Sequence, residues 1–191
     1  MLILISSIAY GQGNFAKIET NKVLCVFNFL ETSSNQTRAS SSYRNYILSA
    51  LGEDEKFNAL VNSYAKLDLS YASKRPEYPD NRHVRLNTKD LIWMAASNAK
   101  SMDDLSERII GYLPHSTHNK LIDIFKQIEP YYDSLTWDKE QENIHRIEEQ
   151  LSKYKEQIDY LYQKISQFYH TQWNTNVPFK VMLYPIPLKS G

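Results

Sequence analysis

The spacing of large apolar residues towards the C-terminal end constrains the fold of this chain more than any other feature. These residues recur in alternating steps of three and four at Ile144, Ile147, Leu151, Tyr154, Ile158, Leu161, Ile165 and Phe168. Such steps follow one face of an α-helix, and the run predicts a single long helix of about nine turns. Acidic residues from Asp138 to Glu142 at its start and His170 at its end match the helix dipole.

This apolar seam has two interpretations. A heptad seam of this length can pair with a partner helix in a coiled coil. It can also pack on the helices that precede it in the same chain. The second interpretation is favoured, because those helices need cover for their own apolar faces.

Shorter runs with the same period predict helices in the first half of the chain. Thr20 or Asn21 is expected to cap the first, whose apolar positions are Val23, Leu24, Val26, Phe27 and Leu30. The stretch VLCVF within it is also compatible with a strand, but the spacing through Leu30 favours a helix. A short helix is expected to stop at Gly52, and a third to start near Asp54.

Further helices are predicted after a polar, proline-containing loop at residues 74–87. Thr88 is expected to cap the first of them, and Ser101 with Asp104 resembles a capping box ahead of the next. Pro114 is expected to end that segment. The following helix is expected to begin at Ser116 or Thr117 and to stop at Pro130.

The apolar period changes near the C-terminal end, where Phe179, Val181 and Leu183 alternate with other residues and predict a strand. A lone strand leaves backbone N–H and C=O groups without partners. The strand is therefore expected to join a sheet from absent sequence or from a partner, and the chain is interpreted as the N-terminal piece of a longer protein.

These elements predict a mainly α fold, a multi-helix bundle with one long C-terminal helix followed by a single β-strand. The expected organisation is a partial signal peptide at residues 1–11, an N-terminal helical segment at 12–73, the loop at 74–87, and a helical segment with the long helix and strand at 88–191. The last three form one domain.

An export signal is predicted in MLILISSIAYGQG, residues 1–13. Leu2–Ile8 form a short apolar run, and Ala9 and Gly11 occupy the −3 and −1 positions of a signal-peptidase site. The run is too short to span a bilayer. A secreted, periplasmic or cell-surface location follows, although a buried N-terminal strand is the alternative interpretation.

Composition excludes some partners. Lys and Arg total 22, as do Asp and Glu, and no basic stripe stands out, so nucleic acid is not expected as a partner. A peptide or protein partner is compatible with the sequence, which leaves the oligomeric state open.

No catalytic, cofactor-binding or metal-binding residue is predicted. Cys25 lies within an apolar helical pattern and is interpreted as a small buried hydrophobe. His115 and His118 supply two ligands where a zinc site needs at least three, His145 lies on a charged outer face, and His83 lies in the loop. Gly-rich phosphate loops, Cys-x-x-Cys and His-Glu-x-x-His are absent from the sequence.

Three further groups of side chains are interpreted structurally. The acids Asp103 and Asp104, and likewise Asp123 and Glu129, form no convincing acid pair, because acids near a helix start are explained by the dipole. An aromatic group is expected to line a core or an interface rather than a sugar or peptide site. It comprises Tyr131, Tyr132, Trp137, Tyr160, Tyr162, Tyr169 and Trp173.

The order of features resembles the front half of exported bacterial zinc-dependent metallopeptidases of the zincin type. The resemblance is carried by the export signal, by the final strand segment FKVMLYPIPLKSG, and by three helical segments, NKVLCVFNFLE, YRNYILSALGEDEKFNALVNSY and IIGYLPHSTHNKLIDIF. It implies a scaffold ahead of an active-site helix with two zinc-binding His and a water-activating Glu. These residues contain no such helix, so the resemblance implies an inactive chain here and zinc only in a longer natural chain.

The main alternative is an exported helical protein-interaction module that uses the long heptad helix.

Overall fold

The computed structural model describes residues 16–36, 41–70, 87–171 and 179–185. These residues are mainly helical, as predicted, with a small two-stranded sheet. The predicted signal at residues 1–11 and all but the last residue of the predicted loop at 74–87 lie outside the described residues.

The elements follow one another in a simple order. A π-helical segment, Asp133–Trp137, separates α6 from α7. The strands and helices are β1 Ala16–Thr20, α1 Lys22–Ser33, α2 Ser41–Leu51, α3 Glu55–Ala65, α4 Thr88–Ala96, α5 Met102–Arg108, α6 His115–Tyr132, α7 Asp138–Ser152, α8 Lys155–Phe168 and β2 Phe179–Leu183.

The described chain divides into two compact units. The helical unit comprises residues 20–36, 41–70, 87–144 and 183–185, and contains α1 to α6 with the start of α7. The sheet unit comprises residues 16–19, 145–171 and 179–182, and contains the rest of α7, α8 and most of both strands.

The core of the helical unit is built around α1 and α6. Helix α6 packs against α1, α3 and α5, and α1 also packs against α2 and α4. Every predicted apolar position of α1 is buried. Phe27 meets Phe125 edge-on with ring centroids 5.8 Å apart, and Phe29 lies 5.5 Å from Tyr132. Interlocking aromatic rings of this kind fix how α1 and α6 meet.

Side-chain caps define the starts of four helices. Asn21 Oδ1 accepts a hydrogen bond from the Leu24 N–H at 3.0 Å, and Asp54 and Ser101 cap α3 and α5, as predicted. The prediction that Thr88 caps α4 is wrong. Asn87 is the cap and forms a reciprocal capping box with Asp90, which leaves Thr88 as the first helical residue, fully buried.

Helix α6 differs from its prediction at both ends. It begins at His115, directly after Pro114, because the Pro114 carbonyl already accepts the His118 N–H at 2.9 Å. It also continues through Pro130. Proline removes only its own N–H bond, and the residues after it, Tyr132 and Leu135, are buried and stabilise the continued helix.

Lys22 reinforces the end of α6 within the helical unit. Its Nζ lies 3.0 Å from Glu129 Oε1 and 2.9 Å from Asp133 Oδ2. The Asp133 N–H in turn points to the carbonyls of Glu129 and Pro130. The π-helical segment that follows absorbs the irregularity that proline introduces.

The single long helix predicted after residue 138 is wrong, because the segment is divided into α7 and α8. The N–H groups of Lys153 and Tyr154 bond carbonyls three residues back instead of four, which tightens the last turn of α7. The Ile158 N–H returns to a four-residue bond with Tyr154 and restarts the α-helix. Helix α8 ends with His170 at a φ of +50° and a Thr171 N–H bond to Ser166, a Schellman-type cap.

The predicted strand forms as β2, but the expectation that it needs absent sequence or a partner is wrong. It is hydrogen-bonded to β1, a strand that the sequence did not predict. Lys180 of β2 lies 3.0 Å from Glu19 of β1, and this ion pair adds to the strand pairing. The strand β2 therefore has a backbone partner within the described residues.

Candidate functional site

The histidine and cysteine candidates are accounted for by the fold. His118 Nε2 lies 3.2 Å from Ser106 Oγ and 3.1 Å from the Ser106 carbonyl, which ties α6 to α5. His145 lies 3.3 Å from Glu149 on the exposed side of α7. Across the described ranges no three His, Cys, Asp or Glu side chains are placed to hold a metal ion. His83 lies outside the described residues.

Cys25 is buried, as predicted, and is a poor nucleophile. Burial raises the pKa of its thiol to about 12, so that the thiol stays protonated at neutral pH. Its Sγ lies 3.9 Å from the Leu183 carbonyl. The role of Cys25 is to fill the core beside the end of β2.

The acidic side chains that the sequence singled out serve separate structural partners. Asp104 accepts the Lys100 N–H and the Arg108 guanidinium at the start of α5, and Asp103 pairs with Lys126 at 2.6 Å. Asp123 accepts from Gln127 at 2.7 Å, and Glu129 pairs with Lys22. Each acid is thus paired with a basic or amide group, as expected for surface ion pairs.

The aromatic group does not form one surface. Tyr132 is fully buried in the helical unit, with its ring centroid 6.1 Å from that of Trp137. Tyr160 and Tyr169 of the sheet unit are instead 57% and 69% exposed. Trp173 lies outside the described residues. The interpretation as a core lining therefore applies to Tyr132 and Trp137, whereas for Tyr160 and Tyr169 the interface interpretation stays a prediction.

An exposed apolar stripe along α8 is the most unusual surface in the described part of the chain. We call it the α8 stripe and define it as Tyr154, Leu161, Ile165 and Phe168. These four side chains are 54%, 58%, 53% and 77% exposed. Helix α8 contains no buried residue. At the other end of the seam, Ile144 of α7 belongs to the helical unit and is buried.

The local geometry explains why the stripe is continuous. Residues three and four positions apart lie on the same face of a helix. Ile158 lies on this face between Tyr154 and Leu161 and is half-buried, as are Tyr162 and Ser166. Helix α8 therefore presents Leu161, Ile165 and Phe168 together to solvent.

A buried polar cluster in the helical unit was missed by the sequence reasoning. Glu31 is 4% exposed and accepts hydrogen bonds from the Tyr64 hydroxyl and from Lys89 Nζ, the latter at 3.1 Å. Burial, and then the Glu31 charge, raises the pKa of Tyr64. One sequence signal was available, since Glu31 follows Leu24 and Phe27 on the buried face of α1.

This cluster joins α1, α3 and α4, and two cavities adjoin it. One of about 460 Å³ is lined by Tyr64, Lys89 and Asn87 among others, and one of about 180 Å³ by Glu31, Lys89 and Trp93 among others. Both Glu31 oxygens already have donors in the fold. The cluster is therefore best explained as a hydrogen-bonded network that holds α1, α3 and α4 together.

Comparisons with known proteins give no match: no family model, no curated protein and no solved structure is similar to this chain. Within residues 16–36, 41–70, 87–171 and 179–185, no helix combines the length and the apolar character that a bilayer requires.

Proposed function

We propose that this chain is a helical protein-interaction module that docks a protein partner through the α8 stripe. The observation that carries the proposal is the exposure of four large apolar side chains on one helix face, each more than half accessible. Monomeric proteins rarely expose contiguous apolar patches beyond a few hundred Å² unless the patch is functional.

The composition of the stripe favours protein recognition over chemistry. Aromatic side chains such as Tyr154 and Phe168 supply much contact area at a small cost in side-chain entropy. Tyr160 lies beside the stripe, with the Lys164 ammonium 5.5 Å from its ring centroid, and gives the patch a polar margin. An apolar centre with a polar rim is the usual anatomy of a protein interface.

The spacing of the stripe indicates a helical or groove-shaped partner surface. Leu161, Ile165 and Phe168 follow the i, i+4, i+7 pattern by which an amphipathic helix anchors itself in an apolar groove. The charged residue between these positions, Lys164, is exposed. The partner is therefore expected to supply an apolar surface at least about two helical turns long.

Site-specific photo-crosslinking in the cells that produce the protein tests this function. A photoreactive residue at Ile165 is expected to give one adduct of defined mass, which disappears when Leu161→Glu is added. The matched control places the probe at Gln167, which is exposed and lies two residues away on the opposite side of the helix. Equal adduct patterns at both positions, or none at Ile165, would contradict the proposal.

A second candidate function is the helical scaffold of an exported zinc-dependent metallopeptidase. What supports it is the order of elements, with α1 to α8 ahead of β2, which agrees with the order that the sequence resemblance implies. Zinc and the catalytic groups would then belong to a longer natural chain. The encoding reading frame tests this candidate: it requires a downstream His-Glu-x-x-His helix, and a frame that closes without one removes it.

Export is proposed with either function, on the strength of the apolar run and cleavage pattern at residues 1–11. The protein is then secreted, periplasmic or displayed at the cell surface. N-terminal sequencing of protein recovered outside the cytoplasm is expected to begin at Gln12. An intact Met1 on the mature protein would contradict export by this signal.

A further inference from the structure

We propose that the smaller cavity between α1 and α4 binds a single pyranose ring, and that Trp93 supplies the surface on which this sugar lies. The site belongs to the helical unit and shares no residue with the α8 stripe, so the inference does not depend on the proposed function. It depends on the available polar groups of the cavity, on its charge and on its volume.

Helices α1 and α4 line this cavity with the same pattern of positions. Each helix contributes residues at i, i+1 and i+4, of which the first two are both neighbours of the third on the helix surface. The lining residues are Phe27, Asn28 and Glu31 from α1 and Lys89, Asp90 and Trp93 from α4. Because α1 and α4 pack against each other in the helical unit, the fold itself holds the walls of the cavity in place.

Trp93 gives the cavity an accessible aromatic surface. Its side chain is 41% exposed, whereas Phe27 in the same lining is 2% exposed. A partly exposed indole offers an apolar plane with an N–H donor at its edge. The C–H groups on one face of a pyranose ring form a matching apolar surface, and the hydroxyls around the ring reach the polar groups beside it.

The polar side chains of the cavity include donors and acceptors that the fold leaves available. Within the described residues, neither the Asn28 side-chain amide nor the Trp93 indole N–H has a hydrogen-bond partner. Asp90 Oδ2 accepts the backbone N–H of the α4 cap at 3.1 Å, and its Oδ1 is available. Lys89 Nζ donates one of its three N–H groups to Glu31. A hydroxyl both donates and accepts, so this mixture suits a ligand with several hydroxyls.

The charge of the cavity favours an uncharged ligand. The Glu31 carboxylate is buried and paired with Lys89 Nζ at 3.1 Å, which leaves Asp90 as the remaining charge of the lining. A small anion would be repelled by Asp90. A small cation would be repelled by the Lys89 ammonium and would leave the Asn28 and Trp93 donors without acceptors. A sugar without ionised groups avoids both penalties.

The volume limits the ligand to one small ring. The cavity of about 180 Å³ is smaller than the roughly 300 Å³ at which pockets for drug-sized ligands begin. It equals the volume of about six water molecules at about 30 Å³ each. A pyranose ring with its hydroxyls is of this size, whereas the second ring of a disaccharide would extend into solvent.

Ligand-detected NMR with the full wild-type chain tests the site. The probes are the methyl pyranosides of glucose, galactose, mannose and xylose, with N-acetylglycinamide as an uncharged amide and tetramethylammonium as a cation. At least one pyranoside is expected to receive saturation from the protein and to bind with a Kd of about 1 mM. The absence of saturation transfer to all four pyranosides, or tighter binding of the amide or the cation, overturns the proposal.

Substitutions test whether the bound sugar occupies this cavity. Trp93→Ala is expected to weaken binding of that pyranoside at least about 10-fold, because the aromatic surface is lost. Asn28→Ala is expected to weaken it about 5-fold, because hydrogen bonds to hydroxyls are lost. If Trp93→Ala does not fold, as judged by circular dichroism, Trp93→Phe provides the same test. It keeps a ring without the N–H and is expected to weaken binding about 3-fold.

Two matched controls are available in the helical unit. Met94→Ala changes the next residue of α4, which is 48% exposed and lies outside the lining, and Asn62→Ala removes an exposed amide from α3. Both variants are expected to bind the pyranoside as the wild type does. Unchanged binding by a folded Trp93 variant, or an equal loss of binding in Met94→Ala, overturns the assignment of the sugar to this cavity.

Discussion

At the scale of single residues, Glu31 is the most consequential side chain of the helical unit. Its carboxylate is buried, and its charge is balanced by Lys89. A buried ion pair is not strongly stabilising as a whole, but removal of one partner leaves an uncompensated charge in the core. The free energy of unfolding is therefore expected to fall most when only one residue of the pair is replaced.

Substitution of Lys89 tests this asymmetry. Lys89→Met is expected to lower the free energy of unfolding by about 3 kcal/mol, because the buried Glu31 side chain loses its cationic partner. The double variant Glu31→Gln with Lys89→Met is expected to recover about half of that loss. Urea unfolding at neutral pH measures both. A single variant within about 0.5 kcal/mol of wild type would show that the pair is not coupled to the core.

Two buried groups, the Cys25 thiol and the Tyr43 hydroxyl, make the stability of this chain sensitive to alkaline pH. Burial raises the pKa of Cys25 and of Tyr43 to about 12, against ordinary values of 9.0 and 10.0. As pH rises through this window, the unfolded chain releases protons that the folded chain retains. Stability is therefore fully present below about pH 9 and is lost progressively towards pH 12.

Tyr43→Phe isolates one of these groups. Phenylalanine does not ionise, so the loss of stability per pH unit above pH 10 is expected to be smaller by up to about 1.4 kcal/mol than in wild type. Urea unfolding between pH 8 and 11 measures the slope. The control Tyr154→Phe removes an exposed phenol and is expected to leave the slope unchanged. Parallel slopes for wild type and Tyr43→Phe would disprove the assignment.

At the scale of elements, Asn21 sets the start of α1 and also ties it to the segment after α4. Its Oδ1 caps the helix, and its Nδ2 donates to the Ala99 carbonyl at 2.8 Å. The oxygen of the Asn21 side-chain amide accepts the first hydrogen bond, and its nitrogen donates the second. Aspartate, another good cap residue, would supply the acceptor but no donor.

Two substitutions separate these contacts. Asn21→Ala is expected to cost about 2 kcal/mol, because it removes a cap and a hydrogen bond. Asn21→Asp keeps the cap and is expected to cost about 1 kcal/mol, for the lost donor alone. Chemical unfolding distinguishes them, with Asn62→Ala on the exposed side of α3 as a near-neutral control. Equal costs for Ala and Asp would show that the cap contributes nothing.

At the scale of the whole molecule, the two units differ in how well their helices are covered. In α6 the residues Leu121, Phe125 and Ile128 are each at most 1% exposed, whereas α8 contains no buried residue. Local opening is easier where few apolar side chains are buried. Helix α8 is therefore expected to open more readily than α6.

Hydrogen exchange measures this difference. Amides of α8 are expected to exchange at least about 100-fold faster than those of Leu121–Tyr132. Equal protection of the two helices would contradict this expectation.

The sequence by itself determined which segments are helical and where several of them begin. The period that predicts α1 is a property of residues within three or four positions of one another, and the caps Asn21, Asp54 and Ser101 act on N–H groups within the next turn. The interactions that fix these features are short in range. The helices and their caps can therefore be predicted from the sequence.

Only the tertiary structure decided which surfaces are covered and which strands pair. The partner of β2 is β1, a five-residue strand at the other end of the described chain, and α6 continues past Pro130 because its later residues are buried. The seam of α8 has the same spacing whether it is covered or exposed. Burial depends on residues distant in sequence, so periodicity showed an apolar face but not what lies against it.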